Sequence, residues 1–77
     1  MAYSNDSQTL RQHREKLLEI ALRHAQRGGL NSVKRAEIAA EAKCSTGTVS
    51  FALGSRSAML DRVMQAAQQR GIQLSYA

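Results

Sequence analysis

The amino-acid sequence predicts an all-α protein, a small domain of four helices that contains a helix-turn-helix. Apolar residues recur at steps of three and four along most of the 77-residue chain, which is the period of a helix with one buried face. Glycine and serine residues separate these periodic segments, as helix ends require. The chain contains no proline, and no strand-length alternation of apolar and polar residues occurs before residue 72.

The first helix is expected to follow a polar segment, residues 1–9, which is predicted to be a mobile tail or a capping lead-in. The helix is expected to begin at Leu10, and Gly28–Gly29 is expected to end it in a left-handed cap. Glu19 and Arg23 have the i,i+4 spacing of a favourable ion pair. The predicted apolar stripe consists of Leu10, Leu17, Leu18, Ala21, Leu22 and Ala25.

Two short helices follow, over about residues 34–42 and 46–53, with a break at residues 43–45. Ala39 lies four residues before Lys43, the first residue of this break, and Val49 lies six residues after Lys43. Two helices that cross at a steep angle need a small side chain on the first and a branched apolar one on the second. This is the spacing of a helix-turn-helix, whose second helix enters a groove of DNA.

Serine residues are suited to begin the last two helices. Ser45 is expected to cap the third helix, and Ser55 or Ser57 is expected to cap the fourth. The fourth helix is predicted to continue to about Arg70, because Gly71 then stops it.

The alternation of apolar and polar residues after the fourth helix allows two interpretations. In the first, Ile72 folds back on the last helix turn and the remaining residues fray. In the second, the segment is a short strand or clasp that pairs with a second subunit. On either interpretation the domain spans residues 10–71, and residues 72–77 form a tail.

The charge of the chain favours a polyanionic partner. The formal net charge is +5, and the isoelectric point is about 10.2. No acidic residue occurs from Ala42 to Leu60, whereas Lys43 and Arg56 flank the third helix. Double-stranded DNA is therefore the predicted partner.

The length and cysteine content point to a small intracellular protein that works in more than one copy. A chain this short buries only about 60% of its unfolded surface, so its core is thin and association of copies is expected. The single cysteine, Cys44, fits a reducing cytoplasm. No apolar run approaches the length of a membrane span. We therefore expect a homodimer or higher homo-oligomer on DNA, in the bacterial cytoplasm with the nucleoid.

The third helix is predicted to have one buried and one outward face. Val49, Ala52 and Leu53 cluster on the side that must face the core. On the opposite side, an exposed Phe51 would meet thymine methyl groups in the major groove, and Gly47 would let the backbone approach closely. An alternative is that Phe51 packs beneath the fourth helix or against Met59 as part of the core. The predicted base contacts are Thr46, Gly47, Thr48 and Phe51.

Phosphate contacts are predicted around this helix. The helix N-terminus is itself an electropositive site for a phosphate group. The residues predicted to contact phosphates are Lys34, Arg35, Lys43, Ser45, Ser50 and Arg56. The outward face carries no arginine, asparagine or glutamine, so bidentate recognition of guanine or adenine is not expected from this helix.

These residues resemble the DNA-binding domain of the tetracycline-repressor (TetR) family over about residues 14–64. The similarity includes KLLEIALRHAQRGGLNSV at residues 16–33, Ile38–Ala39, STGTV at residues 45–49 and GSRSAML at residues 54–60. The resemblance implies that Arg56 reaches a phosphate group and that Ser50 does the same. It also implies base-facing positions for Thr46, Gly47, Thr48 and Phe51.

Three departures from the family pattern stand out. The turn carries Lys43 where the family has glycine, and a left-handed turn there would cost about 1 kcal/mol or more. Ser50 replaces the usual tyrosine, and Leu53 replaces the usual phenylalanine. We expect no counterpart of the family's ligand-binding and dimerising domain, and therefore no small-molecule inducer. Thr48–Val49–Ser50 also resembles the motif of the lactose-repressor family.

No metal site, cofactor site or enzyme is expected from this sequence. His13 and His24 are eleven residues apart and lack further ligands. No set of nucleophile and base can be assembled. The function predicted is a dimeric, sequence-specific transcription regulator, a repressor of the kind that phages or plasmids encode. The alternatives are an accessory or architectural DNA-binding factor and a protein-interaction module.

Overall fold

The computed structural model describes the backbone of residues 2–75 and the side chains of residues 11–75. The elements within this range are α1 (Ala2–Gly28), a 3₁₀ turn (Leu30–Ser32), α2 (Arg35–Ala42), α3 (Thr46–Leu53) and α4 (Arg56–Gln69). No strand occurs in residues 2–75. The all-α fold class and the four helices are therefore confirmed.

The first helix is longer than the sequence predicts, because α1 begins at Ala2 and not at Leu10. The polar composition of the first residues removes the apolar periodicity on which the prediction relied. It does not prevent a helix, since no glycine or proline interrupts residues 2–27 and a helix extends easily once it is nucleated. The side chain of Leu10, assigned above to the apolar stripe, lies outside the described residues.

The helix α1 is the support against which the other three helices pack. Its buried positions include Ile20, which the predicted stripe omitted, whereas Leu18 is only half-buried. The single core cluster draws on every element. Its largest fully buried side chains are Leu17, Leu30, Val33, Ile38, Val49, Leu53, Met59 and Val63.

The end of α1 differs from the predicted left-handed cap. Gly29 has a φ of 87° and a ψ of 171°, so its φ is positive but its ψ is extended. The Ser32 hydroxyl lies 3.0 Å from the carbonyl oxygen of His24 and 2.7 Å from that of Gly29, so its one proton is shared between these two acceptors. The shared contact holds the loop after α1 against the last turn of the helix. A Cβ on Gly28 would lie 2.9 Å from Ser32, so the close approach of this loop requires glycine.

The chain folds back at the end of α4. The side chain of Ser55 accepts the N–H of Ala58 and caps the helix as expected. Gly71 has a φ of 69°, and the N–H of Ile72 donates to the carbonyl of Ala67 at 2.8 Å. The fold-back of Ile72 is therefore confirmed.

The tail continues along the body of the protein instead of fraying after Ile72. Leu74 packs against the core cluster, and the carbonyl of Ser75 accepts the N–H of Leu30 at 2.7 Å. No strand forms in this segment as far as Ser75. Residues 76 and 77, the end of the predicted tail, lie outside the described part of the chain.

Ion pairs join α1 to α2 and to the end of α4. Glu19 pairs with Arg70, and not with Arg23 as the i,i+4 spacing predicted. Arg23 pairs instead with Glu41 at 2.9 Å, and His24 Nε2 lies 2.9 Å from the other carboxylate oxygen of Glu41. The hydrogen bond from His24 and the charge of Arg23 hold the pKa of Glu41 below its ordinary value.

Two kinds of feature are absent from the described residues. No helix combines the length and the apolar character needed to cross a membrane. No group of three or more histidine, cysteine, aspartate or glutamate side chains comes together within the described part of the chain in a way that could hold a metal ion.

Candidate nucleic-acid interface

A tight turn at Lys43 joins α2 to α3. Lys43 has a φ of 59° and a ψ of 46°, the left-handed conformation that its place in the turn demands. Its N–H donates to the carbonyls of Ala39 and Ala40 at the end of α2, and Cys44 N–H donates to Ala39 at 2.9 Å. This conformation costs a non-glycine residue about 1 kcal/mol, and the lysine charge at the C-terminus of α2 offsets part of that cost.

Ser45 begins α3 as the sequence predicts. Its backbone is extended, and its side-chain oxygen accepts the N–H of Thr48 at 3.1 Å. The hydroxyls of Ser45 and Thr48 also lie 3.0 Å apart. The cap sets the direction in which α3 leaves the turn, because it satisfies N–H groups that the first turn of a helix leaves open.

The inner face of α3 is buried against α2 and α1. Val49 and Leu53 are fully buried and Ala52 is nearly so, as the periodicity predicted. Ile38 and Ala39 of α2 belong to the same core cluster, and α2 and α3 pack against each other. The opposite face of α3 is consequently turned toward solvent.

The outer face of α3 presents Thr46, Gly47 and Phe51. All three residues are exposed, and the exposed fraction of Phe51 is 73%. Within the described residues, Phe51 is the one large apolar residue that is exposed. The alternative in which Phe51 packs beneath the fourth helix or against Met59 is therefore wrong.

Gly47 is not required by the packing of the monomer. A Cβ built at this position would meet only the side-chain oxygen of Ser45, at an ordinary contact distance of 3.6 Å. Its φ is also not among the positive values of the chain. Because glycine inside a helix costs about 0.5–1 kcal/mol relative to alanine, its presence here has no explanation within the monomer.

Several of the predicted contact residues, among them Thr48 and Ser50, already have hydrogen-bond partners inside the protein. Thr48 is half-buried, and its hydroxyl faces Ser45 in the helix cap. Ser50 accepts a hydrogen bond from Arg35 Nη1 at 3.1 Å. Arg35 is thereby held beside α3 with its other N–H groups available.

The guanidinium of Arg56 makes contacts that the sequence did not predict. Arg56 Nη1 donates to the carbonyl of Val33 at 2.7 Å, and Nη2 donates to Asn31 at 3.4 Å. Arg56 therefore fastens the start of α4 to the connection before α2 while remaining exposed. The side chains of Lys34 and Lys43 are exposed and therefore accessible to a partner.

Arg14 is a residue to which sequence reasoning gave no part in the site. Its Nε donates to the carbonyl of Ala52, in the last turn of α3, at 3.1 Å. The only signal in the sequence was its charge, since a contact over 38 positions leaves no local pattern. Arg14 fixes the C-terminal end of α3 and adds a cation beside it.

The charges around α3 are predominantly positive. Arg14 and Arg35 contact it directly, Lys43 precedes it and Arg56 follows it, whereas residues 42–60 contain no acidic side chain. On α2, the carboxylate of Glu41 is paired with Arg23 and His24. An exposed helix with apolar and small residues, surrounded by cations, is suited to a polyanion that also presents apolar groups.

Comparison of the chain with protein-family models, with curated proteins and with solved structures gives no significant match.

Proposed function

We propose that this protein is a small, sequence-specific DNA-binding regulator of transcription, a repressor that acts as a dimer on a repeated operator. In this proposal α2, the turn at Lys43 and α3 form a helix-turn-helix, and α3 enters the major groove. The observation that carries the proposal is the exposure of Phe51, at 73%, on the same side of α3 as the exposed Gly47. The fold of the monomer accounts for neither residue.

The physical properties of α3 and its surroundings support this assignment. The major groove is about 12 Å wide and accepts one α-helix with its side chains. Lys34, Arg35 and Lys43 would neutralise phosphate groups on the two sides of that groove and would hold the helix in register. Such contacts do not select a sequence, so selection falls to the outer face of α3.

The resemblance to the TetR family is part of the same proposal. It rests on the residues of the turn and of the two adjacent helices, and it assigns α3 to the groove and the start of α4 to the phosphate backbone. One recognition helix touches only a few base pairs, so two copies on neighbouring half-sites are proposed for tight binding.

The proposal predicts duplex binding with a steep dependence on salt. With about three phosphate contacts per subunit, a dimer should give a slope near −5 in a plot of log K against log salt concentration. The measurement is fluorescence anisotropy of a labelled duplex, selected from a random pool by the full chain. A flat salt dependence would contradict the proposal.

A variant that lacks one exposed cation tests the phosphate contacts separately from the base contacts. Lys34→Ala removes an exposed cation and should weaken binding to the selected and to a random duplex by the same factor, with a smaller salt slope. Two results would favour the alternative functions. If no duplex is bound even at low salt, the alternative is that the outer face of α3 binds another protein.

If a footprint shows protection of several adjacent sites, the alternative is an architectural DNA-binding factor.

A further inference from the structure

We infer that the protein selects its DNA site mainly through the methyl groups of thymine, and that Phe51 is the residue that determines this specificity. The inference rests on the proposed function and adds to it the chemical group that is recognised.

The polar side chains of α3 offer little hydrogen bonding to base edges. Thr48 is engaged with Ser45, and Ser50 accepts from Arg35. The helix contains no arginine, lysine, asparagine, glutamine, aspartate or glutamate, which are the residues that make bidentate or charged contacts with bases. Thr46 is the one residue of α3 with a hydroxyl group that is exposed, whereas Thr48 and Ser50 are half-buried.

The apolar surface of α3 is concentrated in one ring. Phe51 is exposed, whereas the other apolar side chains of the helix, those of Val49, Ala52 and Leu53, are buried. In the major groove the C5-methyl group of thymine is the apolar feature that the base pairs present. A phenylalanine ring gains free energy there by removing such a methyl group from water, and it gains nothing comparable against the edge of guanine or cytosine.

Gly47 allows the ring to reach the bases. It lies four residues before Phe51, so the two residues share one face of the helix, one turn apart. The space beside its Cα is open apart from the side-chain oxygen of Ser45. With no side chain at this point, the helix backbone can approach the base edges, and Phe51 can contact methyl groups on the floor of the groove.

The cations around the helix supply affinity for any DNA sequence, so the contribution of Phe51 to sequence preference can be measured separately. Lys34 and Lys43 are exposed and bind phosphates irrespective of sequence. Loss of the Phe51 ring should therefore leave binding to random DNA in place and remove most of the preference for the selected site.

The test replaces thymine by deoxyuridine, which lacks only the methyl group, at single positions of a duplex selected by the full chain. Anisotropy titration with the wild-type protein should show about fourfold weaker binding for each contacted methyl group. The Phe51→Ala variant should bind the thymine and deoxyuridine duplexes equally. Phe51→Leu is the matched variant that keeps an apolar side chain, and it should retain part of the discrimination. Circular dichroism checks that the variants fold, which is expected because Phe51 is exposed.

Each of the other possible results contradicts a specific part of the inference or of the proposed function. If the wild type binds the selected duplex and no deoxyuridine position weakens binding, thymine methyl recognition is wrong while DNA binding stands. If deoxyuridine weakens binding of the wild type and of Phe51→Ala by the same factor, the methyl groups act through the shape of the duplex and Phe51 is not the reader. If no duplex binds at all, the proposed function itself fails.

Discussion

Gly47 and Phe51 have a character that the fold of the monomer does not explain. Glycine lowers the stability of a helix, and a largely exposed ring adds little to a core. Both residues lie on the outer face of α3, and both are exposed. Both residues are consistent with contact with a partner. Gly47 allows the partner to approach the helix backbone closely, and Phe51 favours a partner surface that presents methyl groups.

Gly47→Ala should therefore separate stability from binding. We expect the free energy of unfolding to rise by about 0.5–1 kcal/mol, because alanine loses less backbone entropy on folding and its Cβ meets only ordinary contacts. Binding to the selected duplex should weaken several-fold, because the added methyl group holds the helix away from the bases. Urea denaturation and anisotropy titration measure the two effects.

Ala40→Gly is the matched control for this variant. Ala40 is exposed on α2 and is not among the predicted contact residues, so the substitution should lower stability by a similar amount and leave duplex affinity unchanged. Unchanged affinity in Gly47→Ala would contradict the role given to the bare backbone at this position.

Among the helices, α2 is joined to α1 by one carboxylate in addition to the apolar packing of its buried face. Glu41 accepts from Arg23 and from His24, both on α1. The carboxylate anchors the last turn of α2, immediately before the turn at Lys43, so it bears on the position of α3 as well. Glu19 and Arg70 join α1 to the end of α4 in the same way.

These contacts predict a loss of stability in acid. The pKa of Glu41 is lowered, so its contribution is present above the ordinary pKa of a glutamate and is lost as the pH falls through the lowered value. The same sign holds for Glu19, whose pKa is lowered by its hydrogen bond to Arg70. Urea midpoints of the wild type should fall between pH 6 and about pH 3, and those of Glu41→Gln should fall less.

Glu37→Gln is the control for this measurement. Glu37 is exposed on the same helix and forms no ion pair with the other described side chains. Its variant should follow the wild-type pH profile. If the urea midpoint falls equally on acidification in the wild type and in Glu41→Gln, the contacts of the Glu41 carboxylate with α1 contribute nothing to stability.

For the whole molecule, the surface of α4 bears on how copies associate. The residues exposed along this helix include Asp61, Arg62 and Gln65, which are polar or charged. Such a face associates weakly in water, whereas two half-sites on one duplex bring two copies to a high effective concentration. Dimer formation is thus expected to depend on DNA.

Light scattering should consequently give the mass of one chain, 8.4 kDa, for the free protein at micromolar concentration, and two chains on the selected duplex. Inserting about five base pairs between the half-sites turns one of them to the opposite side of the duplex. We expect this insertion to abolish cooperative binding. A stable dimer without DNA would contradict the assignment of weak association to this surface.

Around the candidate site, the sequence predicted the helix bounds, the cap and the buried positions at the level of single residues. The bounds of α3, the cap at Ser45 and the buried face at Val49 and Leu53 follow from serine, glycine and the helical period. The start of α1 was not predictable in the same way, because a polar helix end carries no periodic apolar signal.

The sequence by itself determined the four helices, the serine caps of α3 and α4 and the face that α3 buries, because helix period and capping act between residues a few positions apart. Only the tertiary structure decided that Phe51 stays exposed and that Ser50 engages Arg35. It also decided that Arg56 bonds to the loop at Val33 and that Glu19 pairs with Arg70. These choices depend on the distance and angle at which helices approach each other, and residues far apart in the chain set that geometry together.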